Sequence, residues 1–381
     1  MKIMHCCLSN FYIDNYNYQE NILPRLNILD GHDVLVIAST ETYIDNNRLG
    51  YIQPSEYFND DNILVKRLPY RWLPSKYMQR KIRYYKGFEK TVLDFMPDVI
   101  MFHGTSSLDI ITLKKIKKHN PEITIYLDSH EDFHNSARNF LSKYILHKIF
   151  YRNILQSSLP YIDKIFYVTY ESLPFLTNLY GLPENLLEYY PLGGIVVDER
   201  TRKAKNNDIR KLHGISALDI LLVHSGKMER KKRTFELVKA LHETGARNMK
   251  LLIIGSMTPD VSNDVMPIIK NDNRIIYLGW KNGKELTDYL CACDLYVQPG
   301  TQSATMQNAL CCGSAAALFP YESHKYLLND SVFYIETVDD MKKLFIAIAE
   351  KRELLEEKRR MSNIIVKEKL DYRILAARLY K

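Results

Sequence analysis

Long apolar runs and metal-type cysteine spacings are absent from this sequence of 381 residues. No window approaches the roughly 18 uninterrupted apolar residues that a membrane-spanning helix needs. The N-terminal segment MKIMHCCL is too short for a signal peptide and is typical of a buried first strand. We therefore expect a cytoplasmic protein.

The six cysteines lie in three close pairs, Cys6-Cys7, Cys291-x-Cys293 and Cys311-Cys312. None has the C-x-x-C spacing that is typical of a zinc or redox site. All lie in apolar surroundings, so we expect small core residues in a reducing compartment and no metal site.

The positive charge is unevenly distributed, although the composition is ordinary for a folded protein. The net charge is +7, and residues 65–90 hold nine basic residues and one acidic residue, with large aromatic residues between them. Two interpretations are open for this segment. It suits an anionic membrane surface or a phosphate-bearing acceptor, or it is a solvated helix face. We expect no nucleic-acid partner.

Short apolar strands alternate with amphipathic helices along the chain, which predicts an α/β fold with parallel sheets. A length of 381 residues is more than one hydrophobic core usually serves. A polar, charged stretch interrupts the alternation and has the composition of a linker. The sequence thus predicts an N-terminal domain (1–192), a linker (193–212), a C-terminal domain (213–362) and a C-terminal helix (363–381).

The first candidate site in the C-terminal half is the loop between a strand at 220–224 and a helix at 234–242. Ser225 and Gly226 are predicted to bind a phosphate-bearing ligand here, since a glycine permits a tight turn and close backbone approach. Lys227 and Lys232 then extend toward one region, where their ammonium groups would neutralise a diphosphate and stabilise it as a leaving group. A basic helix-entry loop without a ligand is equally compatible with this pattern.

The second candidate site follows the strand at 295–298. Small and hydroxyl residues precede a predicted helix at 306–312, where free backbone N–H groups attract an anion. Capping of the helix is the simpler explanation of any single hydroxyl here. The residues predicted to bind a phosphate-bearing donor are Ser303, Ala304, Thr305, Gln307 and Asn308.

These motifs together resemble the donor domain of GT-B glycosyltransferases, and most of all family 4. That family carries a G-R-x5-K-G pattern, which Gly226, Lys227 and Lys232 match in part. The resemblance covers about residues 218–318. It implies two Rossmann-like α/β/α domains that face a central cleft, with the C-terminal helix returning to the N-terminal domain.

One part of the family pattern is missing. The E-x7-E pair has Gly300 at the first position and Asn308 at the second, where relatives bind the ribose hydroxyls. The stretch 303–308 resembles instead the S-G-G-x-Q-E loop of UDP-N-acetylglucosamine 2-epimerases, which share the GT-B fold. Trp280 lies in a loop that borders the nucleotide base in relatives, where its ring would stack on the base or simply pack.

The N-terminal half resembles acceptor domains of surface-polysaccharide glycosyltransferases more loosely. Tyr18 and Glu20 lie at the start of its first helix and are predicted to bind the acceptor, where Glu20 would contact acceptor hydroxyls or cap the helix. His130 matches a family histidine near the transferred sugar, where it would bind the sugar or phosphate or move a proton. Asp128 would orient His130 or act as a base.

Two further polar residues follow neighbouring strands in that half. His103 and Asp132 are predicted to bind the acceptor, with Asp132 as a second candidate base. A satisfied core residue is the alternative for a lone histidine such as His103.

The sequence thus predicts a hexosyltransferase that uses a nucleotide-diphosphate sugar, with a UDP-sugar favoured and no cofactor. The acceptor would be a saccharide or lipid-linked saccharide in bacterial capsule or O-antigen synthesis. We expect a metal-independent reaction, because lysines would absorb the diphosphate charge and no D-x-D motif is present. The resemblance alone favours retention of configuration. An inactive nucleotide-binding protein and a sugar-nucleotide epimerase of the same fold are the alternatives.

Overall fold

The computed structural model describes residues 1–44 and 48–381. They form two compact units, which we treat separately. Residues 1–191 with 375–381 form the first unit, and residues 192–374 form the second.

The first unit is built on an eight-stranded sheet in the order β10-β9-β8-β7-β1-β2-β6-β5. All neighbours are parallel except β5, which runs antiparallel to β6, and β3 and β4 form a separate hairpin. The strands are β1 (Lys2–Cys7), β2 (Asp33–Ser39), β3 (Glu41–Ile44), β4 (Arg48–Tyr51), β5 (Ser55–Phe58), β6 (Leu64–Leu68), β7 (Val99–His103), β8 (Thr124–Ser129), β9 (Lys164–Tyr167) and β10 (Leu187–Tyr189).

Helices connect these strands. They are α1 (Gln19–Leu29), α2 (Lys76–Ile82), α3 (Phe88–Phe95), α4 (Ile110–His119), α5 (Arg152–Ser158) and α6 (Ser172–Pro174), with wide π-type turns over Leu141–Tyr151 and Phe175–Leu179. Gly31 has φ +85° and its N–H donates to the Ile28 carbonyl, so it closes α1 in a left-handed conformation.

The central strands of this sheet are buried on both faces, which is typical of parallel sheets covered by helices. Along β1, Met4 and Cys6 join the core on one face, and Ile3 and Cys7 join the core on the other. His5 lies between Ile3 and Cys7 and is fully buried. A polar side chain at that position needs hydrogen-bond partners inside the protein.

The last residues of the chain belong to the first unit. The Tyr190 hydroxyl donates to the Leu375 carbonyl at 2.6 Å, and Arg378 Nη2 pairs with Glu188 Oε1 at 2.6 Å. The chain reaches this end through α14 (Glu353–Ile365), a π-type turn and α15 (Tyr372–Ala377), rather than through one helix over 363–381.

The second unit contains a six-stranded parallel sheet in the order β13-β12-β11-β14-β15-β16. Its strands are β11 (Ile220–Ser225), β12 (Met249–Ile254), β13 (Ile275–Gly279), β14 (Leu295–Gln298), β15 (Ala315–Leu318) and β16 (Phe333–Tyr334). Its remaining helices are α7 (Glu199–Leu212), α8 (Thr234–His242), α9 (Pro259–Asn271), α10 (Gly283–Ala292), α11 (Thr305–Cys311), α12 (Glu322–Leu328) and α13 (Val338–Glu350).

The stretch predicted as a linker over 193–212 is mostly the helix α7. Asp198 caps its start by accepting from the Thr201 N–H at 2.9 Å. Lys205 pairs with Asp288, and Arg210 pairs with Asp294, so polar contacts fasten a helix that has few apolar side chains. The prediction of a linker from charged composition is therefore wrong for most of this stretch, because the helix is held by ion pairs as well as by apolar packing.

All six cysteines are buried, as the sequence predicts, and none of them forms a disulfide. No helix among residues 1–44 and 48–381 is long and apolar enough to cross a membrane.

Candidate functional site

The loop after β11 brings Lys232 back onto the strand end from which the chain departs. Gly226 has φ +126°, a conformation that favours glycine, and its N–H donates to the Ile254 carbonyl at 2.9 Å. A short 3₁₀ turn over Arg230–Lys232 then leads through Arg233 into α8. A Cβ atom added at Gly226 would lie 3.3 Å from Lys232 Nζ, so the ammonium rests directly against the glycine backbone.

The Lys232 ammonium is buried, and it has no hydrogen-bond partner among the described residues. Burial without a counter-charge lowers the pKa of Lys232 to about 8. An unpaired buried charge is costly, and structural lysines of this kind are normally paired. The arrangement therefore calls for an anion that the protein itself does not supply.

A cavity of about 310 Å³ lies in front of this ammonium, and we call it the Lys232 cavity. Its lining comes from two loops, the one after β11 and the one after β14. The lining residues are Gly226, Lys227, Glu229, Lys231, Lys232, Thr301, Gln302 and Ser303. Three cations and one carboxylate line it together with hydroxyl and amide side chains, so its chemistry suits a phosphate-bearing ligand.

The two loops meet because Gly300 has no side chain. The Thr301 N–H donates to the Lys231 carbonyl at 3.1 Å, and a Cβ atom at Gly300 would lie only 2.1 Å from that carbonyl oxygen. No glutamate fits at this position, so the departure from the family pattern at Gly300 is built into the packing of the cavity.

We expect Gly300→Ala to separate these two loops. The added methyl group must displace backbone atoms of Lys231 and Lys232, which should lower the free energy of unfolding by about 1–3 kcal/mol. Urea denaturation would measure this loss. The matched control is Gly245→Ala, where an added Cβ meets nothing within 4 Å. Equal stability of the two variants would contradict the close approach of the loops.

His224 fixes the floor of the loop. Its Nδ1 lies 2.8 Å from the Val297 carbonyl oxygen, and its Nε2 lies 3.0 Å from the Thr234 hydroxyl oxygen. Burial and the nearby charge of Lys232 lower the pKa of His224 to about 4, so the ring is neutral at pH 7. It joins β11, β14 and the start of α8 without adding charge to the cavity.

Lys227 differs from Lys232 in its surroundings. It lines the same cavity, but its side chain is mostly exposed and its Nζ lies 2.7 Å from Glu229 Oε1. Hydrogen bonding to Glu229 raises the pKa of Lys227, so this lysine already has a counter-charge. The two predicted cations do share one cavity, and of these two it is Lys232 that lacks a partner among the described residues.

Most other donor-binding residues predicted from the sequence lie outside the lining of the cavity. Ser225 is buried, with its hydroxyl 3.4 Å from that of Tyr296. Asn308 Oδ1 lies against the backbone of Gly194. The buried side chain of Ser225 therefore corrects its predicted donor contact, whereas Asn308 lies outside the lining of this cavity and its predicted contact with the ribose stays a prediction.

The turn into α11 is organised by its own side chains. Ser303 Oγ accepts from the Thr305 N–H at 3.3 Å and donates to its hydroxyl at 3.1 Å, so Ser303 caps the helix while lining the cavity. The Gln307 amide nitrogen, when turned toward the helix start, donates to the carbonyls of Ser303 and Ala304. Capping thus explains much of this turn, and α11 is only seven residues long.

Trp280 follows β13, and its side chain is exposed. The turns after β11, β12 and β13 are joined in sequence: Gly226 N–H donates to Ile254 O, and Gly255 N–H donates to Gly279 O. Trp280 therefore lies at the same carboxyl edge of the sheet as Gly226, although it does not line the Lys232 cavity.

The first unit contains a buried chain of polar side chains at the carboxyl ends of β7 and β8, which we call the His130 network. Asp128 Oδ2 accepts from His103 Nδ1 at 2.7 Å and lies 3.7 Å from His130 Nε2. His103 Nε2 lies 3.1 Å from His5 Nδ1, and His5 Nε2 lies 2.8 Å from Asn27 Oδ1. The network thus runs from α1 through β1 and β7 to His130.

The network holds Asp128 ionised and His130 protonated. Burial would raise the pKa of Asp128, but His103 and His130 together hold it well below its usual range. Burial likewise lowers the pKa of His130, but the charge of Asp128 outweighs it and raises the pKa to about 9. The His130 side chain is 30% exposed, so it is the member of the pair that reaches the surface.

The structure gives the predicted acceptor residues different surroundings. His103 is fully buried between Asp128 and His5, so it has no surface with which to touch an acceptor. Asp132 Oδ1 accepts from the backbone N–H groups of His134 and Asn135, so this oxygen is used in its own turn. Glu20 is buried and accepts from Asn10 Nδ2 at 2.8 Å. Tyr18 remains half exposed at the start of α1.

Several residues of this region were not predicted from the sequence as members of a site. Gln19 donates to Asp128 Oδ2 at 3.1 Å, and Glu131 accepts from the Thr105 hydroxyl at 2.6 Å. His5 was not predicted as a member of the network either, although a histidine between two apolar core positions indicates a buried polar contact.

No family model and no curated protein sequence matches this chain. Solved structures do match over its whole length. The sucrose-phosphate synthase of Thermosynechococcus elongatus has a TM-score of 0.69 at 11% identity and covers 99% of this chain and 97% of its own. Anabaena HepE in complex with UDP has a TM-score of 0.68 at 12% identity, covering 99% and 98%. The lipopolysaccharide glycosyltransferase WaaG has a TM-score of 0.63 at 11% identity, covering 99% of both chains.

These structures have the GT-B fold, and the chain has that fold too. The two parallel sheets, each covered by helices, are its Rossmann-like domains. The fold class predicted from the resemblance is confirmed.

Proposed function

We propose that this protein is a glycosyltransferase that takes its sugar from a nucleotide-diphosphate donor. The observation that carries the proposal is the unpartnered, buried ammonium of Lys232 at a cavity closed by two loops of one Rossmann-like unit. A diphosphate would supply the missing counter-charge. When the bond from the sugar to the diphosphate breaks, negative charge grows on the leaving oxygen, and a fixed cation beside it stabilises that charge.

The finer assignments belong to the same proposal. UDP is the favoured nucleotide, and HepE, whose fold this chain shares, was solved with UDP and with UDP-glucose. Membership of family 4, retention of configuration, metal independence, a hexose as the transferred sugar and a role in surface polysaccharide synthesis rest on the sequence resemblance. Trp280 is assigned to the base and His130 to the transferred sugar on the same ground.

Donor turnover tests the proposal. The purified protein is incubated with UDP-glucose and other nucleotide sugars, with and without saccharide acceptors, and released nucleotide and product are measured. We expect nucleotide release that increases with a suitable acceptor. An epimerised sugar formed without any acceptor would favour the epimerase alternative and contradict transfer.

An inactive nucleotide-binding protein is the second candidate, and one observation favours it. Asn308 stands where relatives have a ribose-binding glutamate, and it lies against Gly194 rather than in the cavity. Calorimetry that shows tight UDP binding, together with no transfer to any acceptor, would support this candidate. Any detected glycoside product would exclude it.

UDP affinity should weaken as the pH rises above about 8. Because burial lowers the pKa of Lys232 to about 8, the free protein loses the cation through that pH. If only the protonated form binds well, the apparent Kd at pH 9 should be about tenfold weaker than at pH 7. Isothermal titration at both pH values measures this ratio. A constant affinity would contradict a role for Lys232 in holding the diphosphate.

A further inference from the structure

The first unit presents one helical face on which large apolar side chains point outward. Phe140 and Leu141 are each 70% exposed, and Ile145 and Ile149 are 52% and 53% exposed. Three of these residues repeat every four positions, so they lie on one side of the π-type helix Leu141–Tyr151. We call these four residues the docking face. An exposed apolar strip of this kind marks an interaction surface.

The other side of the same helix is firmly attached to the protein. His147 Nδ1 lies 2.7 Å from the Tyr180 hydroxyl, and the Tyr151 hydroxyl donates to the Lys81 carbonyl. His147 and Tyr151 are buried. The docking face is therefore separate from the side by which this helix packs on the rest of the unit.

The segment that carries the docking face has charges of one sign only. The 30 residues from Phe133 to Ile162 contain no Asp or Glu. Lys143 and Lys148 place their ammonium groups 5.7 Å and 5.6 Å from the centroid of the Tyr144 ring. Lysines beside an apolar strip extend their charge to the level of anionic headgroups while their stems remain in apolar contact.

A cation-lined cavity of about 240 Å³ borders the packed side of this helix, where His147 and Tyr151 help to line it. Lys81, Arg83 and Arg138 also line it. Its carboxylate, Glu131, already accepts from Thr105, Ser106 and Tyr180, so its oxygens are occupied. None of the four docking-face residues lines this cavity, so it is a separate cationic region of the same unit.

Only part of the basic segment at 65–90 can contribute to such a surface. Arg67 is fully buried and donates to the Tyr12 and Ser39 carbonyls, and Lys66 and Arg80 pair with Glu56 and Glu41. The exposed part of this segment is the stretch that carries Trp72, Tyr77 and Lys81. Of the two interpretations open for residues 65–90, a membrane surface would thus include only the exposed part of the segment.

We propose that the docking face binds the surface of an anionic phospholipid bilayer. The apolar side chains enter the headgroup region, and Lys143 and Lys148 face lipid phosphates. The inference does not depend on the proposed transferase activity, because its test measures binding alone.

Co-sedimentation with vesicles tests this inference. We expect the protein to bind vesicles of phosphatidylcholine and phosphatidylglycerol, to bind pure phosphatidylcholine much less, and to dissociate as salt is raised. Leu141→Glu with Ile145→Glu should weaken binding at least about tenfold. The matched control is Leu218→Glu, an exposed leucine of the second unit, which should change nothing.

Several outcomes would overturn the proposal. They are no binding of the wild type to anionic vesicles, equal binding to neutral vesicles, or equal binding by the double variant and the control. The face would be assigned to a second copy of the chain if light scattering showed a dimer of the wild type and of the control but a monomer of the double variant, and if no vesicles were bound. If the wild-type protein bound vesicles but did not bind UDP, the proposed function alone would be contradicted.

Discussion

The Lys232→Met variant is expected to lose UDP binding and to gain stability at the same time. Removing one partner of a buried charge pair typically costs about 2–5 kcal/mol of binding free energy. Affinity for UDP should therefore fall at least about 30-fold. Methionine has a similar length and no charge, so it fills the same space beside Gly226.

The gain in stability follows from the same burial. Because burial lowers the pKa of Lys232 to about 8, the destabilisation of the free protein is complete below that pH, and it is lost as the pH rises toward the unfolded value of about 10.4. Removing the charge should raise the free energy of unfolding by about 1–3 kcal/mol at pH 7. Opposite signs for stability and affinity would distinguish a ligand-binding lysine from a structural one.

Urea denaturation and calorimetry with UDP measure the two effects. The matched control is Lys284→Met, since Lys284 is an exposed lysine of α10 in the same unit. We expect the control to leave both quantities unchanged. A destabilised Lys232→Met variant would mean that the ammonium has a structural partner, and the account of the cavity would be wrong.

Replacement of Asp128 should have the largest effect on stability. Asp128 is fully buried and accepts from Gly104 N–H, Gln19 Nε2 and His103 Nδ1. Asp128→Ala leaves these donors without an acceptor, so we expect a loss of about 3–5 kcal/mol in the free energy of unfolding. Asp128→Asn keeps the shape and should lose less.

The charge of Asp128 also sets the pH dependence. The pKa of His130 is raised, so its stabilising contribution is complete below its unfolded value of about 6.5 and is lost as the pH rises through about 9. The contribution of Asp128, whose pKa is lowered, is lost as the pH falls below about 4. In Asp128→Asn, burial should bring the His130 pKa below 6.5.

NMR titration of the His130 ring in the wild type and in Asp128→Asn measures this shift. Asp132→Asn is the control, because Asp132 binds only its own turn in the described structure. A His130 pKa near 6.5 in both the wild type and Asp128→Asn would contradict the network.

Strand positions were largely predictable because buried parallel strands are short apolar runs between polar turns. The predicted strand at 295–298 and helix at 234–242 have the bounds observed for β14 and α8. The missed elements have other causes. Helix α7 is held partly by ion pairs, and the β3–β4 hairpin and β5 follow no strong alternation.

The two loops of the site were predictable from the sequence, but the burial and partners of their side chains were not. The spacing of Gly226 and Lys232 indicated a cation near a tight turn, but nothing in it shows that Lys232 is buried and that Lys227 pairs with Glu229. The surroundings of Lys232 depend on Gly300, which lies far along the chain, whereas Lys227 pairs with Glu229 inside its own loop. The His130 network likewise joins residues from four separate elements, which no local pattern reveals.

A crystal structure with UDP bound tests the central claim most directly. The account predicts that Lys232 Nζ lies about 3 Å from a diphosphate oxygen, within the cavity formed by the loops after β11 and β14. A diphosphate bound elsewhere, with the Lys232 ammonium still unpartnered, would contradict it.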